Sequence, residues 1–185
     1  GPLAGIRIVD LSAVISGPLA TMLLADQGAE VIKVEPRGGD VTRFSSFAHG
    51  GISALFANAN RGKRSLAVDL DQAAGREIVL RLVAQADVFV QNFRPGAVER
   101  MGLGEAELRR VRPDLIYVSI SGFGESGPYA SQRVYDPIIQ GLTGMVAVQK
   151  HNQSGERDLV RNIVCDKSSA YTAAQAITAA LFARE

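Results

Sequence analysis

The amino-acid sequence predicts an α/β domain built on a parallel sheet with helices on both faces. Short runs of β-branched residues alternate with segments whose apolar residues recur at helical spacing. Strands joined by helices in this way make right-handed crossovers and therefore a parallel sheet. The strands contain few polar residues, as expected for a sheet covered on both faces. The 185 residues contain no long linker and suit one domain, or one domain and part of a second.

Each predicted element begins or ends at polar or turn-forming residues. The predicted strands cover residues 7–11, 31–35, 65–70, 88–92 and 116–120, with 158–163 as a further extended segment. The predicted helices cover residues 17–25, 52–58 and 136–145, with two short helices that begin at Pro95 and Gly104. A further helix is predicted to be capped by Asp71 and to have Ile78, Leu82 and Val83 on its apolar face. The last is a long alanine-rich helix from about Asp166. Residues 147–157 are predicted to form a surface loop.

Composition excludes several classes of function. Twenty basic and nineteen acidic residues leave a net charge of +1, which gives no overall field for nucleic acid or an anionic membrane. The single cysteine, Cys165, excludes an internal disulfide and fits a reducing, cytoplasmic compartment. No stretch has the length of a membrane span or the pattern of a signal peptide. The last helix stops without Gly or Pro, which suggests a chain cut from a longer one.

Ligands of parallel sheets bind beyond the carboxyl ends of the strands. That rule points to four loops, at residues 12–16, 36–40, 92–95 and 121–128. Several basic residues lie at or just after strand ends, where an arginine offers a bidentate fork to phosphates. We expect most of them to be ordinary surface charges, with Arg37 and Arg94 as the exceptions because both lie in post-strand loops. The basic set comprises Lys33, Arg37, Arg43, Arg61, Lys63, Arg64, Arg94, Arg100 and Arg133.

Other motifs favour structural interpretations. Residues 122–127 match G-x-G-x-x-G, but they follow the fifth strand rather than the first and lead into no helix, so a loop is preferred to a dinucleotide site. His49 and His151 lack partners at metal-ligand spacing and are predicted to lie at the surface, with no metal site. Cys165 has neither a neighbouring base nor an environment that lowers its pKa, and it is predicted to be a small buried residue.

Asp166 allows two interpretations. It lies where a loop gives way to the long helix, and aspartate is a favoured N-cap residue. A carboxylate held at a helix N-terminus is also suitably placed to act as a nucleophile or base. The position fits both roles, and the residues alone favour the N-cap.

Six ordered segments resemble the class III coenzyme A transferases, the group that includes formyl-CoA transferase, carnitine-CoA transferases and α-methylacyl-CoA racemases. They span essentially the whole chain. The segments are Gly5-Ile-Arg-Ile-Val-Asp-Leu11, Gly17-Pro18, Gly28-Ala-Glu-Val-Ile-Lys-Val-Glu35, Asn60-Arg-Gly-Lys-Arg-Ser65, Asp87-Val-Phe-Val-Gln-Asn-Phe-Arg-Pro-Gly96 and Ser119-Ile-Ser-Gly-Phe-Gly124.

The resemblance implies a Rossmann-like large domain, joined in full-length members to a smaller domain, with two chains interlaced as linked rings. Full-length members are about twice as long. Residues 1–185 are therefore expected to be the N-terminal part of the large domain, without the small domain, the C-terminal return segment or the glycine-rich loop that covers the active site.

The resemblance also implies roles for individual residues. The nucleophile would be Asp166, although Cys165 stands where the family has glycine. Acyl-CoA and a carboxylic acid would be the substrates, with no tightly bound cofactor. The positions expected to contact CoA are Val14, Ile15, Arg37, Val68, Asp69, Leu70, Asp71, Asn92, Phe93, Arg94, Arg100 and Arg133.

Tyr135 and Asp136 bear on the type of reaction. Racemases of the family carry His-Asp at this point, because exchange of an α-proton needs a base on each face. Tyrosine is a poor base near neutral pH, and formyl-CoA transferase-like members also have tyrosine followed by an acid here. The resemblance therefore favours a transferase in which both residues line the acyl site. A racemase, or a CoA-binding or dimerisation module without turnover, remains the alternative.

Overall fold

The computed structural model describes residues 1–45, 47–149 and 154–184. It confirms the predicted α/β fold. The strands are β1 (Arg7–Asp10), β2 (Glu30–Glu35), β3 (Ala48–His49), β4 (Ile52–Ser53), β5 (Arg64–Ala67), β6 (Val88–Gln91) and β7 (Ile116–Ser119). The helices are α1 (Ser16–Asp26), α2 (Ala54–Asn60), α3 (Ala73–Val83), α4 (Ala97–Arg100), α5 (Glu105–Val111), α6 (Asp136–Leu142), α7 (Met145–Val148) and α8 (Val164–Arg184).

Five strands form one parallel sheet in the order β5-β2-β1-β6-β7, and β3 pairs with β4 in a separate antiparallel hairpin. The chain starts in the middle of the sheet, proceeds to one edge, and then returns to build the other half beside β1. The direction of winding therefore changes between β1 and β6. A crevice opens at such a switch point, between the loops that follow the two strands.

Alternating side chains of the strands divide the core into two layers. Ile8, Val88 and Val90 pack toward α1 and the alanine-rich face of α8. Their neighbours Val9 and Phe89 face the opposite layer, which α3, α4 and α5 cover. Both faces of the central strands β1 and β6 are buried, which explains their apolar runs in the sequence, whereas the edge strand β5 is largely exposed. Within the described residues, no helix is long and apolar enough to cross a membrane.

The helix predicted at 52–58 begins two residues late. Ile52 and Ser53 pair with the preceding strand, and the Ser53 hydroxyl accepts a hydrogen bond from the Phe56 N–H to cap α2. Two-residue strands leave no periodicity in a sequence, so the hairpin was not predicted. Residues 161–162 form a turn, so the predicted extended segment is wrong there. His151 lies outside the described residues.

The prediction for α3 was wrong in two details. Gln72 rather than Asp71 precedes the helix, and it makes no side-chain cap. The buried stripe contains Gly75, Val79 and Val83, whereas Ile78 is exposed. A Cβ atom at Gly75 would lie 1.9 Å from the Asp69 carbonyl oxygen, so this glycine allows α3 to approach the loop after β5. Close approach of the backbone, rather than apolar spacing alone, thus sets the face of α3.

Candidate functional site

Two clefts open at the carboxyl edge of the sheet. The first, called the Asp166 cleft, has a volume of about 300 Å³ and lies where the loops after β1, β6 and β7 meet the start of α8. The second, called the Arg37 cleft, has a volume of about 530 Å³ and lies above β1, β2 and β5. Phe93 lines both clefts and forms part of the wall where they meet.

The predicted site residues divide between these clefts. Those lining the Asp166 cleft are Val14, Ile15, Asn92, Phe93, Arg94, Arg133, Tyr135, Asp136 and Asp166. Those lining the Arg37 cleft are Arg37, Val68, Asp69, Leu70, Asp71 and Phe93. Arg100 is exposed at the end of α4 and lines neither cleft. Its contact with CoA stays a prediction.

Asp166 is not the N-cap of α8, so that interpretation was wrong. The helix begins at Val164, which makes Asp166 its third residue. Ile163, just before the helix, has a φ of +38° and an apolar side chain that cannot act as a cap. The first N–H groups of a helix have no partner within it, so their acceptors must come from elsewhere.

Asp136 supplies one of those acceptors. Its carboxylate, buried at the start of α6, accepts a hydrogen bond of 2.9 Å from the Asp166 N–H and another of 2.5 Å from Gln140. Gln140 in turn holds both the N–H and the carbonyl of Val160, in the segment that leads into α8. Asp136 and Gln140 thus place the start of α8, and with it the Asp166 side chain, at the wall of the cleft.

The carboxylate of Asp166 contrasts with the backbone N–H of the same residue. Among the described residues, no hydrogen bond or ion pair engages it. Partial burial and the negative charge of Asp136 raise the pKa of Asp166 above its ordinary value. Burial and these two carboxylates also raise the pKa of the Cys165 thiol, so Cys165 is disfavoured as a nucleophile. Cys165 is half-buried and lines the cleft, rather than being the fully buried residue that the sequence predicted.

The basic residues fall into two groups. Lys33 and Lys63 are buried in ion pairs with Asp40 and Asp10, at 3.0 and 2.9 Å. At lower burial, Arg43, Arg61 and Arg64 pair with Glu35, Asp26 and Glu30 respectively. In the part of the chain that the structure describes, no ion pair engages the other four members, which are Arg37, Arg94, Arg100 and Arg133. Three of these four arginines line the clefts, where an anionic ligand would meet unneutralised charge.

Asn92 has a structural role in addition to its place in the cleft wall. Its side-chain oxygen accepts from the Ala13 N–H at 2.8 Å, and its side-chain nitrogen donates to the Ala13 carbonyl at 2.7 Å. These two bonds join the loops after β1 and β6 across the switch point of the sheet. The carboxamide of Asn92 therefore shapes the site through the backbone of Ala13.

Sequence reasoning missed some residues of the clefts. Ser169 lines the Asp166 cleft because it follows Asp166 by three positions on α8, a spacing that could have identified it. Lys33, Glu35 and Asp40 line the Arg37 cleft, although buried partners occupy their charged groups. Within the described residues, no group of three or more His, Cys, Asp or Glu side chains is arranged to hold a metal ion.

Known proteins resemble this chain throughout its length. A succinate–glutarate CoA-transferase of Agrobacterium fabrum is 47% identical, with the match covering 80% of this chain and 39% of that protein. A probable fatty acyl-CoA transferase of Mycobacterium tuberculosis is 37% identical, covering 100% of this chain and 47% of that protein. The crystal structure of a CAIB/BAIF family protein from Brucella suis matches with a TM-score of 0.94 and 39% identity, covering 99% of this chain and 50% of that one.

The chain thus spans half or less of the length of these relatives. The family model described as CoA-transferase family III matches residues 3–185. The predicted resemblance is therefore confirmed, and the chain belongs to CoA-transferase family III.

Proposed function

We propose that the full-length protein is a CoA-transferase that moves coenzyme A from an acyl-CoA to a free carboxylic acid, with Asp166 as the nucleophile. The observation that carries this proposal is the Asp166 carboxylate itself. It lines a cleft, has no hydrogen-bond partner among the described residues, and lies beside a second, buried carboxylate. A carboxylate without partners keeps its lone pairs available for attack on a carbonyl carbon.

The proposed reaction proceeds through covalent intermediates on Asp166. An Asp166 oxygen attacks the thioester carbonyl, the C–S bond breaks, and a mixed anhydride and CoA thiolate result. The thiolate attacks the aspartyl carbonyl of the anhydride, which gives an aspartyl-CoA thioester and releases the donor acid as its carboxylate. The acceptor carboxylate then attacks this thioester, and the released thiolate takes the acceptor acyl group, which regenerates the Asp166 carboxylate. Covalent attachment to Asp166 splits one difficult transfer into several easier steps, each of which forms one acyl bond as another breaks.

CoA is proposed to occupy both clefts. Its nucleotide end carries phosphates, which suit Arg37 at the second cleft, a side chain with no ion-pair partner in the described part of the chain. Its thioester end would then pass Phe93 into the first cleft, where Asp166 lies. Arg94 and Arg133 line this cleft without ion-pair partners among the described residues and would meet further negative charge there. Tyr135, 70% exposed at the rim, and Asp136 would border the acyl group.

The proposal is tested by trapping the intermediate. Full-length protein is incubated with an acyl-CoA and treated with borohydride or hydroxylamine, and the modified peptide is identified by mass spectrometry. We expect the modification on Asp166, its loss in Asp166→Ala, and its persistence on Asp166 in the Cys165→Ser variant. A modification on Cys165, or unchanged transfer by Asp166→Ala, would contradict the assignment.

The same preparation separates the alternatives. Solvent deuterium at the α-carbon of a 2-methylacyl-CoA would indicate a racemase. Stoichiometric binding of CoA without transfer, in full-length protein, would indicate a binding module. The names of the relatives support transfer to an acid, since one of them is a succinate–glutarate CoA-transferase. The second domain, the interlaced homodimer and the cytoplasmic location stay predictions.

A further inference from the structure

The loop after β1 contains a strained residue at the wall of the Asp166 cleft. Val14 has a φ of +67°. Side chains branched at Cβ rarely adopt this left-handed conformation, which is strained and persists only where the surroundings hold it. Val14 lines the cleft together with Ile15 and is 36% exposed. Its conformation therefore sets part of the surface that a ligand of Asp166 would contact.

Three side chains from other parts of the chain hold three consecutive residues of this loop. Each binds a backbone group, and each comes from β2 or from a loop that follows a neighbouring strand. The contacts are Lys33 Nζ to the Ser12 carbonyl at 2.9 Å, Asn92 to both backbone groups of Ala13, and the Val14 N–H to Asp40 Oδ2 at 3.3 Å.

Asp40 is the member of this set that acts on the strained residue directly. Its Oδ2 also pairs with Lys33 Nζ at 3.0 Å, and its Oδ1 accepts from the N–H and the hydroxyl of Thr42 at 2.9 and 2.7 Å. The Asp40 N–H donates to Glu35 Oε2 at 2.9 Å. The carboxylate is therefore fixed from several directions and buried, so it cannot follow a movement of Val14.

We propose that Asp40 is a positioning residue for acyl-CoA binding: it holds Val14 in the left-handed conformation and so fixes the cleft wall near Asp166. This inference rests on the proposed function. Among the described residues, Asp40 makes no hydrogen bond or ion pair with Asp166 or α8, and its bond to the wall of the Asp166 cleft is the one from the Val14 N–H. Substrate affinity should therefore depend on Asp40 more strongly than the chemical step does.

Steady-state kinetics of full-length Asp40→Ala protein test this split. We expect KM for the acyl-CoA to rise about tenfold or more, while kcat changes about threefold at most. Hydrogen exchange of the peptide containing Val14 should accelerate as well, because its amide loses its acceptor. Asp40→Asn keeps an oxygen that can accept from Val14 and should give intermediate values. It also carries the test if the alanine variant does not fold.

A second variant separates positioning from general loss of structure. Glycine adopts positive φ without strain, so in a Val14→Gly background the same Asp40→Ala change should raise KM less than it does in the natural sequence. Equal effects in both backgrounds would overturn the proposal, because the action of Asp40 would not pass through Val14.

Leu108→Ala is the matched control. Leu108 is fully buried and lines neither cleft, so its truncation destabilises the fold without touching the loop. We expect it to leave KM and the exchange of the Val14 peptide unchanged. If Asp40→Ala raises KM no more than Leu108→Ala does, the proposal is wrong. Hydrogen exchange is measured without substrate and tests only whether Asp40 holds Val14. Trapping on Asp166 in the natural sequence tests only the proposed function, so either proposal can fail while the other stands.

Discussion

Asp10 and Asp166 are carboxylates near the same edge of the sheet, but they differ in the partners of their side chains. Asp10 is fully buried, pairs with Lys63, and accepts hydrogen bonds from Thr21 and from the backbone of Ser12. Burial would raise its pKa, but the ammonium groups of Lys63 and Lys33 lower it below the ordinary value. Asp166 has a raised pKa and, among the described residues, no partner for its carboxylate. Asp10 stabilises the site, whereas Asp166 is left available to react.

The largest expected effect comes from Asp10→Ala. This change leaves the Lys63 ammonium buried without its counter-charge, and it should lower the free energy of unfolding of the full-length protein by about 3–5 kcal/mol. Urea denaturation measures the loss. Asp166→Ala is the matched control, and it should change stability by less than about 0.5 kcal/mol, because its carboxylate has no partner among the described residues to lose. Equal losses of unfolding free energy in the two variants would contradict the assignment of a structural role to Asp10 alone.

Asp136→Asn should sharpen the comparison, since Asp136 influences both stability and the charge of Asp166. Removing its negative charge should lower the pKa of Asp166. Because the nucleophile must be ionised, the acid limb of kcat/KM should then move to lower pH. The weakened hydrogen bond to the Asp166 N–H should cost about 1.5–3 kcal/mol of stability. An acid limb that stays in place, measured from the pH dependence of transfer, would count against charge coupling between the two residues.

The smallest expected effect concerns Glu35, which resembles Asp10 in being paired. Burial would raise its pKa, but hydrogen bonds from Arg43, Ser65 and the Asp40 N–H lower it to about 2. A carboxylate with a lowered folded-state pKa stabilises the fold above its unfolded value and loses that contribution as the pH falls. Stability should therefore decline between about pH 4.5 and 2. Urea titrations of Glu35→Gln should show a weaker decline, and an unchanged slope would contradict this assignment.

Sequence patterns predicted those features of the fold that depend on residues close together in the chain. The five sheet strands were predicted within a few residues of their ends, because each contains a short run of β-branched or other apolar residues between turns. The sites at their carboxyl ends were also predicted, because the parallel topology brings those ends to one edge. The hairpin of Ala48–His49 and Ile52–Ser53 was missed, because its strands are too short to show alternation.

What the sequence could not predict depends on contacts between distant residues. From the residues alone, Asp166 was expected to cap its own helix, but Asp136, 30 positions earlier, accepts a hydrogen bond from the Asp166 N–H. Likewise, Lys63 belongs to the same set of basic residues as Arg37. Only the fold places Lys63 against Asp10, 53 positions away. The position of Arg37 and Arg94 after strands singled them out, but propensity describes a residue and its near neighbours, so it could not show that Lys63 is buried in an ion pair.

Because Phe93 lines both clefts, one ligand can occupy both of them during the proposed reaction. A ligand held in both clefts is tethered, so its reactive end meets Asp166 at an effective concentration of about millimolar or more, whatever its concentration in solution. The proposed CoA thiolate, once released, would remain anchored at the Arg37 cleft and recapture the acylated aspartate before it could diffuse away. A short acyl thioester without the nucleotide would lose this advantage, and water would then compete for the anhydride.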